Sequence, residues 1–571
     1  MEGKHRPGRN DRKGGGKEIV RVIPLGGFEE VGRNCMVVQV GQDLFIIDLG
    51  LQFPEEGMLG IDYLIPDISF LKGKEKYIKG ILFTHGHLDH IGAVQHLLPD
   101  LHYPTCYGTK LTMGFVKKRL DEAKLTSKAK LQTVEYGKKY RLGKVEVEFF
   151  RVTHSIPDSA GIAIHTPLGT IIHTGDFKFD LTPVNEPPAD MARIAQMGDE
   201  GVLALIPDST NATKPGWSMS ERDIASSLDR LIGDTGGRLI ISTFSSRLNR
   251  IQQIVDVAKK YNRKVFLSGR SMVNNIEIAQ NLGYFNAPRG LIRKVSPAMR
   301  KLPDSEVLII TTGSQGEERA ALARIGLGTH RDIEIKRGDT VVLSSNPIIG
   351  NARAVASMIN NLHLKGAKVL TNDIFDLHTT GHGHQEDMLL MHRLANAKHV
   401  IPEHGEPYMR SAHADLARMV GYEENKIHLL NNGEILEFDS NGNARKSKHR
   451  VAANDVVIDG LGASSEGKRV LEDRKRLSEG GVVIASCRVY KDSRRLVGDP
   501  DVLTRGFIYG TELNEITSEA VKVVRKAYEE ACSQGEKERK VLKKAVSSAL
   551  HRYFRRKLNR EPMVVPVLVE V

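Results

Sequence analysis

The sequence predicts a multidomain protein of mixed α/β and α+β class, and three features of the chain lead to this prediction. Three strand-like runs follow each other closely near the N-terminus. Strands alternate with amphipathic helical segments between residues 238 and 370, and a smaller set of strands and helices follows residue 465. A chain of 571 residues is also too long for one hydrophobic core, so two or three domains are expected.

The composition is that of an ordinary globular protein, with 40% hydrophobic and 27% charged residues. No apolar stretch approaches the length of a membrane span, and residues 1–17 are polar, basic and glycine-rich without the apolar segment of a signal peptide. We therefore expect a cytoplasmic protein with no membrane partner and a flexible N-terminal tail. The cysteines Cys35, Cys106, Cys487 and Cys532 are too scattered for a metal knuckle or a disulfide framework.

The first strand-like runs are predicted to form an antiparallel meander. They cover residues 20–25, 35–40 and 44–47, and glycine-containing turns separate them. The third run ends at Asp48. A carboxylate at the end of a strand could orient a metal-binding imidazole, or it could only cap the turn.

Residues 81–94 carry the strongest chemical signal in the chain. Residues 81–84 are predicted to form a buried strand and a helix is predicted from residue 91, so the polar residues between them lie on a strand-to-helix turn. These residues are His85, His87, Asp89 and His90. Imidazole and carboxylate ligands without thiolate suit zinc, manganese or iron, and hydrolytic sites of this kind leave one coordination position open for water.

Further strands end in similar residues. A strand over 145–152 is followed by His154, and a strand pair over 161–165 and 170–174 ends just before Asp176. Each strand would place a ligand at the same edge of a sheet. His165 and His173 lie inside strands and are interpreted as structural. A mixed helical stretch is expected from the turn to about residue 130, with strands resuming at residue 145.

A different pattern begins at Ser220, which could cap a helix with Asp223 at its third position. Strands over 238–243, 264–267, 306–311, 340–343 and 368–370 alternate with helical segments such as 248–261 and 276–282. This rhythm predicts an inserted, doubly wound and mostly parallel sheet. Its loops, at 242–247, 268–271, 311–317 and 344–347, are rich in Ser, Thr, Gly and Arg, which suits phosphate binding at one sheet edge.

The last part of the chain predicts a separate small domain. A polar, glycine-rich stretch precedes strands over 481–489 and 502–508, two helices and a final strand over 563–569. One helix presents Ala520, Val523, Val524, Ala527 and Ala531 on one face, and the next presents Val541, Leu542, Ala545, Ala549 and Tyr553. Residues 551–560 are strongly basic and could contact RNA, although a solvated helical face is equally compatible.

Asp48, the 85–90 stretch, His154 and Asp176 resemble, in order and context, the first four motifs of the metallo-β-lactamase superfamily. With Asp208, His382 and His404, the chain also resembles the β-CASP nucleases of that superfamily, and the ribonuclease J family among them. The resemblance implies an αββα sandwich with an inserted β-CASP domain and a C-terminal α+β domain. The expected ranges are 1–17 (tail), 18–212 and 373–447 (metallo-β-lactamase domain), 213–372 (β-CASP), 448–465 (linker) and 466–571 (C-terminal domain).

The resemblance also assigns the metal ligands. His85, His87 and His154 would hold one ion, Asp89, His90 and His404 a second, and Asp176 would bridge them, with Asp48 orienting a ligand from behind. Two zinc ions (Zn²⁺) per subunit are expected, with Mn²⁺ or Mg²⁺ as alternatives. Paired divalent ions about 3.5–4 Å apart lower the pKa of a shared water and stabilise both reacting oxygens in phosphodiester hydrolysis.

By the same resemblance His382, supported by Asp208, protonates the leaving oxygen, with Asp89 as a further catalytic residue. His382 could alternatively orient a phosphate, and His384 is a second candidate for the proton donor. His378, Thr380, His382 and Ser314 are expected to contact RNA phosphates. Thr380 stands where serine is expected in the family, and Glu403 replaces an apolar residue.

The family acts on single-stranded RNA in RNA processing and decay, degrading it 5′ to 3′ from 5′-monophosphate ends and also cutting internally. The resemblance implies a homodimer or homotetramer assembled through the C-terminal domain. The formal net charge of +12 suits a polyanionic substrate, although such a balance is also common on solvated surfaces. Three alternatives remain: a β-CASP DNA nuclease, a small-molecule metallo-hydrolase and a non-catalytic RNA-binding scaffold.

Overall fold

The computed structural model describes residues 19–54, 58, 60–317, 319–345, 351–371, 379–459, 462–464, 467–508 and 513–571. The expected N-terminal tail and His378 lie outside the described residues. The chain divides into two compact units. The first extends to residue 53 and continues over 63–456, and the second comprises 54–62 and 457–571.

The first unit begins with the predicted meander, which is confirmed. Strands β1 (Val20–Gly26), β2 (Cys35–Val40) and β3 (Asp43–Ile47) pair antiparallel and are almost entirely buried. The chain continues through β4 (Tyr63–Pro66), β5 (Ile78–Leu82), α1 (Leu88–Ile91), α2 (Val94–Asp100), β6 (Cys106–Gly108), α3 (Lys110–Glu122) and β7 (Leu131–Thr133). Strands β3, β5, β6 and β7 are joined by parallel pairing.

A second sheet follows directly. Its elements are β8 (Lys139–Leu142), β9 (Val145–Arg151), β10 (Ala160–Thr166), β11 (Gly169–His173), α4 (Met191–Gly201) and β12 (Val202–Ile206). Strands β8 to β11 are antiparallel neighbours, and β12 pairs parallel with β11.

Two expectations for the earlier stretch from β5 to β7 are wrong in detail. The strand before the 85–90 turn ends at Leu82 rather than Thr84, because the Thr84 N–H donates to Asp48 Oδ1 (2.9 Å). Strands resume before residue 145, because β6 interrupts the helical stretch and pairs with both β5 and β7. A strand of three residues is too short to show a recognisable alternation.

The inserted domain carries the predicted α/β alternation. It contains α5 (Glu221–Asp234), β13 (Leu239–Ser242), α6 (Leu248–Lys260), β14 (Lys264–Ser268), α7 (Arg270–Leu282), β15 (Ile292–Lys294), β16 (Val307–Thr311), α8 (Ala321–Leu327), β17 (Thr340–Leu343), α9 (Ala352–Leu364) and β18 (Lys368–Leu370). The sheet order is β15-β14-β16-β13-β17-β18, and every pair is parallel. Ser220 and Asp223 form the predicted capping box at the start of α5.

The chain then returns to the two earlier sheets through α10 (Gln385–Ala395), β19 (His399–Val400), α11 (Pro407–Met419), β20 (Leu436–Phe438) and β21 (Ala444–Lys446). Strand β19 joins β12, and β20 pairs with β1. The two sheets share a buried core that includes Val22, Phe45, Phe149 and Ile164. Apolar residues of α10 pack on the outer face of the second sheet, which confirms the αββα sandwich.

The second unit is a small α+β domain. Its elements are the end of β22 (Asp455–Asp459), β23 (Gly462–Ser464), α12 (Gly467–Gly480), β24 (Val482–Val489), β25 (Asp501–Arg505), α13 (Leu513–Ser533), α14 (Arg539–Leu558) and β26 (Met563–Glu570). The buried residues of α14 are Leu542, Val546, Ala549, Leu550 and Phe554. The observed buried face is therefore rotated by part of a turn from the predicted one. None of the helices in the described ranges is both long and apolar enough to cross a membrane.

Candidate metal centre

Seven predicted ligands meet at one edge of the sandwich. His85 and His87 lie between β5 and α1, Asp89 and His90 lie in α1, and His154, Asp176 and His404 follow β9, β11 and β19. Their ligand atoms form two groups that share Asp176: His85, His87, His154 and Asp176, and Asp89, His90, Asp176 and His404. Within each group the atoms lie within 4.8 Å of one another.

The first group brings three imidazole nitrogens together. His87 Nδ1 lies 3.0 Å from His85 Nε2 and 3.1 Å from His154 Nε2. The Nδ1–H of His154 donates to the Gly381 carbonyl (2.7 Å), so its Nε2 presents a lone pair to the group. Asp176 Oδ2 lies 3.7 Å from His85 Nε2 and from His154 Nε2.

Burial keeps these three imidazoles uncharged. Loss of hydration lowers the pKa of His87 to about 4 and holds the pKa values of His85 and His154 well below their usual range. Neutral imidazole is the form that binds a metal ion. The first group is therefore a set of lone pairs directed at one point.

The second group is richer in carboxylate. His90 Nε2 lies 3.3 Å from Asp176 Oδ1 and 3.6 Å from Asp89 Oδ2. Burial alone would lower the pKa of His90 and His404, but Asp176 and the neighbouring carboxylates outweigh it and hold both pKa values well above the usual range. His404 Nε2 is buried without a hydrogen bond to any described residue, and Asp89 Oδ2 is 3.6 Å away.

These donor sets fit divalent metal ions. All ligand atoms are imidazole nitrogen or carboxylate oxygen, and donors around a tetrahedral zinc ion with bonds of about 2.0–2.2 Å lie about 3.3–3.6 Å apart. The buried, unpaired Nε2 of His404 is costly unless a partner occupies the space before it. Bound cations would supply that partner for both groups.

Asp48 hydrogen-bonds to His90 of the second group and orients its ring, as the sequence suggested it could. Its Oδ2 accepts hydrogen bonds from His90 Nδ1 (2.7 Å) and Thr84 Oγ1 (2.7 Å). Asp48 and His404 both adopt left-handed backbone conformations, with φ of 59° and 45°. Such strain in non-glycine residues is concentrated at functional sites. Sequence reasoning missed Thr84, whose only signal was its position directly before His85.

Beside the two ligand groups lies a histidine–aspartate pair. Nδ1 of His382 lies 2.7 Å from Asp208 Oδ2, and these residues form a third group with Asp176 and His404. Burial would lower the pKa of His382, but Asp208 and Asp176 outweigh it and raise this pKa. His384 lies outside all three groups, and burial lowers its pKa.

Of the predicted phosphate-binding residues, Thr380 and His382 lie beside the ligand groups. Thr380 Oγ1 accepts hydrogen bonds from Asn211 Nδ2 (2.8 Å) and from the His382 N–H (3.1 Å), which leaves the hydroxyl proton to donate. Ser314 is buried in the loop after β16, in the inserted domain. His378 lies outside the described residues. Asn211 was not predicted, although it stands three residues after Asp208.

The inserted domain contacts this region through Arg247. The buried guanidinium donates to the Thr379 carbonyl (2.7 Å), directly before Thr380, and burial lowers its pKa to about 10. The polar loops of the inserted sheet follow β13, β14, β16 and β17 and therefore share its carboxyl edge. The hydroxyls of Ser242 and Thr243 are buried there without hydrogen bonds to described residues. Phosphate binding by these loops stays a prediction.

Two other histidines have structural partners. His165 Nε2 lies 3.2 Å from Glu148 Oε2, and His173 Nε2 lies 2.8 Å from Glu403 Oε1. The acidic residue before His404 thus pairs with the in-strand His173, which accounts for Glu403 at an otherwise apolar position.

Four protein-family models match the chain. They are described as metallo-beta-lactamase superfamily (residues 29–210), ribonuclease J beta-CASP domain (236–362), Zn-dependent metallo-hydrolase RNA specificity domain (366–429) and ribonuclease J C-terminal domain (469–571). Together they follow the order of the domains from end to end.

Whole-length relatives agree with these matches. The chain is 38% identical to ribonuclease J2 of Bacillus subtilis, covering 97% of this chain and 99% of that protein. It is 39% identical to ribonuclease J 1 of Streptococcus pyogenes, with 96% and 97% covered. A crystal structure of a protein of unknown function from Enterococcus faecalis shares the fold, with a TM-score of 0.52, 14% identity and 73% and 99% covered.

Proposed function

The chain belongs to the ribonuclease J family, and from this premise we propose that it hydrolyses single-stranded RNA with two zinc ions, degrading 5′-monophosphate RNA 5′ to 3′ and also cutting internally. That it is a metal-dependent ribonuclease follows from the family and from its metallo-hydrolase domain. The observation that carries the finer proposal is the meeting of two ligand groups on the single carboxylate of Asp176.

Each of the two ligand groups would hold one metal ion. His85, His87 and His154 would hold one ion, and Asp89, His90 and His404 the other, with Asp176 shared between them. When bound, such ions supply hydroxide at neutral pH and neutralise charge that develops on the phosphate. Asp48 fixes the ring of His90 through its Nδ1, an arrangement typical of residues that orient metal-binding imidazoles.

His382 is the proposed proton donor to the leaving 3′ oxygen. Asp208 lies 2.7 Å from its Nδ1 and raises the pKa of His382, which favours the protonated ring whose Nε2–H could be transferred. Its side chain remains 20% exposed, which leaves room for substrate. His384 is the weaker candidate because it lies outside the ligand groups and its pKa is lowered.

Thr380 is the proposed phosphate contact beside His382. Its hydroxyl already accepts two hydrogen bonds, so the proton it can still donate suits a phosphate oxygen. We extend the same role to His378 and Ser314 from the family resemblance alone. A site that binds a terminal 5′ phosphate would favour monophosphate ends over triphosphate ends.

A time course with the full-length protein and Zn²⁺ tests this proposal. Single-stranded RNA carrying a 5′ monophosphate or a 5′ triphosphate, and DNA of matched sequence, would be incubated and the products sized. We expect mononucleotides from monophosphate RNA, slow internal cuts in triphosphate RNA and little cleavage of DNA. Equal cleavage of matched DNA would favour a DNA nuclease, and uncut RNA would overturn the proposal.

We further propose that the second unit mediates self-association. In its sheet, β24 lies between β25 and β26, and alternate residues of β24 are buried against the helices. The opposite face carries Leu503, Val567 and Val569, which are 44%, 36% and 42% exposed. An exposed apolar sheet face of this kind is typical of a subunit interface.

Sedimentation of two matched variants tests this interface. Val567→Asp should convert a dimer or tetramer into smaller species, because a buried charge in an apolar interface is strongly unfavourable. Leu364→Asp, at an 82% exposed position of the inserted domain, is the control and should sediment like the wild type. A wild-type monomer, or an unchanged Val567→Asp assembly, would contradict this role.

We also propose a cytoplasmic location. All four cysteines are unpaired, and three of them are buried, as expected for a protein of a reducing compartment. Cell fractionation with antibody detection checks this location, and recovery in a membrane or secreted fraction would contradict it.

A further inference from the structure

The loop formed by residues 213–219 runs along the segment that carries Thr380 and His382. Two residues before its start, Asn211 Nδ2 donates to Thr380 Oγ1 (2.8 Å) and to the His382 carbonyl (3.2 Å). At its end, the Met219 carbonyl accepts from Thr379 Oγ1 (2.7 Å). Both ends of the loop are therefore attached beside the metal centre.

The middle of the 213–219 loop is fixed as well. The N–H groups of Gln385 and Glu386 donate to the carbonyls of Lys214 (3.0 Å) and Gly216 (3.1 Å). Asp387 Oδ2 accepts from the N–H of Ser218 (2.9 Å) and from the N–H of His384 (2.9 Å). The loop thus lies directly against His384, two residues after His382, in a conformation set by backbone hydrogen bonds.

This hydrogen-bonded loop exposes a large aromatic side chain. Trp217 is 55% exposed, and Met219 in the same loop is 39% exposed. Leu181 is 64% exposed and lies beside this loop, since its neighbour Thr182 bonds with Ser220. Trp217, Met219 and Leu181 are thus exposed apolar side chains on or next to a loop that is hydrogen-bonded to the 379–387 segment, in which Thr380 and His382 are partly accessible.

We propose that Trp217 is an RNA-binding residue that stacks on a nucleobase of single-stranded RNA whose backbone enters the metal centre. This inference rests on the proposed ribonuclease function and names a contact for the bases, which the ligand groups and Thr380 do not provide. Aromatic stacking is independent of sequence because every base has a flat apolar face. The exposed Lys214 adds positive charge for the backbone in the same loop.

The chain offers a direct readout, because Trp217 is its only tryptophan. The full-length protein would be titrated with a 5′-phosphorylated oligoadenylate whose phosphorothioate linkages slow cleavage. Binding would be followed by tryptophan fluorescence and, independently, by anisotropy of labelled RNA. We expect both signals to change together, and an oligomer with abasic sites at the stacked position to bind without the fluorescence change.

Variants separate stacking from a structural effect. Trp217→Ala should raise KM for RNA roughly 5- to 100-fold with little change in kcat, while Trp217→Phe should restore most of the affinity. Tyr490→Ala, at a 53% exposed aromatic position of the second unit, is the matched control and should bind RNA normally. Unchanged melting temperatures would show that the variants are folded.

The outcomes distinguish this inference from the proposed function. In one outcome RNA binds and is cleaved, but the fluorescence of Trp217 does not change and Trp217→Ala has the KM of the wild type. This outcome would overturn the stacking role alone. RNA that neither binds nor is cleaved would overturn the ribonuclease proposal and this inference with it.

Discussion

Two regions of the first unit contain histidines whose ring nitrogens lie equally close together. In the metal centre His85 and His87 approach to 3.0 Å, and in the helical layer His392 and His413 approach to 3.0 Å. The difference lies in what completes each cluster. In the metal centre, further imidazoles and the carboxylates of Asp176 and Asp89 lie beside the first two rings. In the helical layer, the other ring nitrogen of His413 is hydrogen-bonded to the hydroxyl of Ser209 instead.

A second pair outside the metal centre shows the same contrast. His399 and His428 lie 3.0 Å apart, and the second nitrogen of His399 donates to the Gly442 carbonyl. Burial lowers the pKa of His392 and of His428 to about 4, and no described carboxylate is among the causes that shift either pKa. Proximity of histidines alone therefore indicates packing, whereas convergence of histidines with carboxylates indicates a candidate metal site.

The largest effect is expected from removing a metal ligand. His87→Ala or Asp176→Ala should reduce RNA cleavage by about 10³-fold or more, because the activated water depends on the complete ligand set. RNA binding should persist through the rest of the surface. Single-turnover cleavage and a binding titration measure the two properties, and retained turnover in either variant would contradict the metal assignment.

The next largest effect is expected at the proton donor. His382→Ala should lower kcat by about 10²- to 10⁴-fold, the usual contribution of general acid catalysis. His384→Ala is the matched control, because it changes a nearby imidazole outside the ligand groups, and should retain most activity. A larger loss in His384→Ala than in His382→Ala would reverse the two assignments.

A smaller effect is expected at the phosphate contact. Thr380→Val removes the hydroxyl and should lower the rate of 5′ to 3′ processing by about tenfold, the value of one hydrogen bond to a charged group. Thr380→Ser keeps the hydroxyl and should remain near wild type. Processing of 5′-monophosphate RNA measures the effect, and an unchanged rate in Thr380→Val would count against this role.

The smallest effect on activity is expected from the paired histidines. His399→Ala should lower the free energy of unfolding by about 1–3 kcal/mol, because it leaves the Gly442 carbonyl and His428 without a partner. Cleavage per folded molecule should stay near wild type. Chemical denaturation and kcat measure the two properties, and a normal stability with lost activity would erase the distinction between the two regions.

The sequence predicted the local features of the fold well. The strand over residues 35–40 and the capping box at Ser220 are confirmed, because alternation and capping depend on residues close in the chain. The short β6 was missed, because three residues carry too little pattern. The buried face of α14 was misjudged by part of a turn, because apolar residues cover a wide arc of that helix.

The candidate site likewise contains residues that the sequence alone predicted and residues that it did not. The histidines of residues 85–90 were recognised from their own spacing, since one turn can direct them inward. Asp208 and His382 are 174 positions apart in the chain, and only family resemblance related them before the structure brought them within 2.7 Å. Thr84 and Asn211 escaped prediction, because a hydroxyl or amide gains its role only from the neighbours that the fold supplies.

The most direct test of the metal centre is the metal content of the purified, dialysed full-length protein, measured by inductively coupled plasma mass spectrometry. We predict about two divalent ions per chain in the wild type and in His399→Ala, and a clear deficit in His87→Ala. A preparation that cleaves RNA while holding almost no metal would contradict the account.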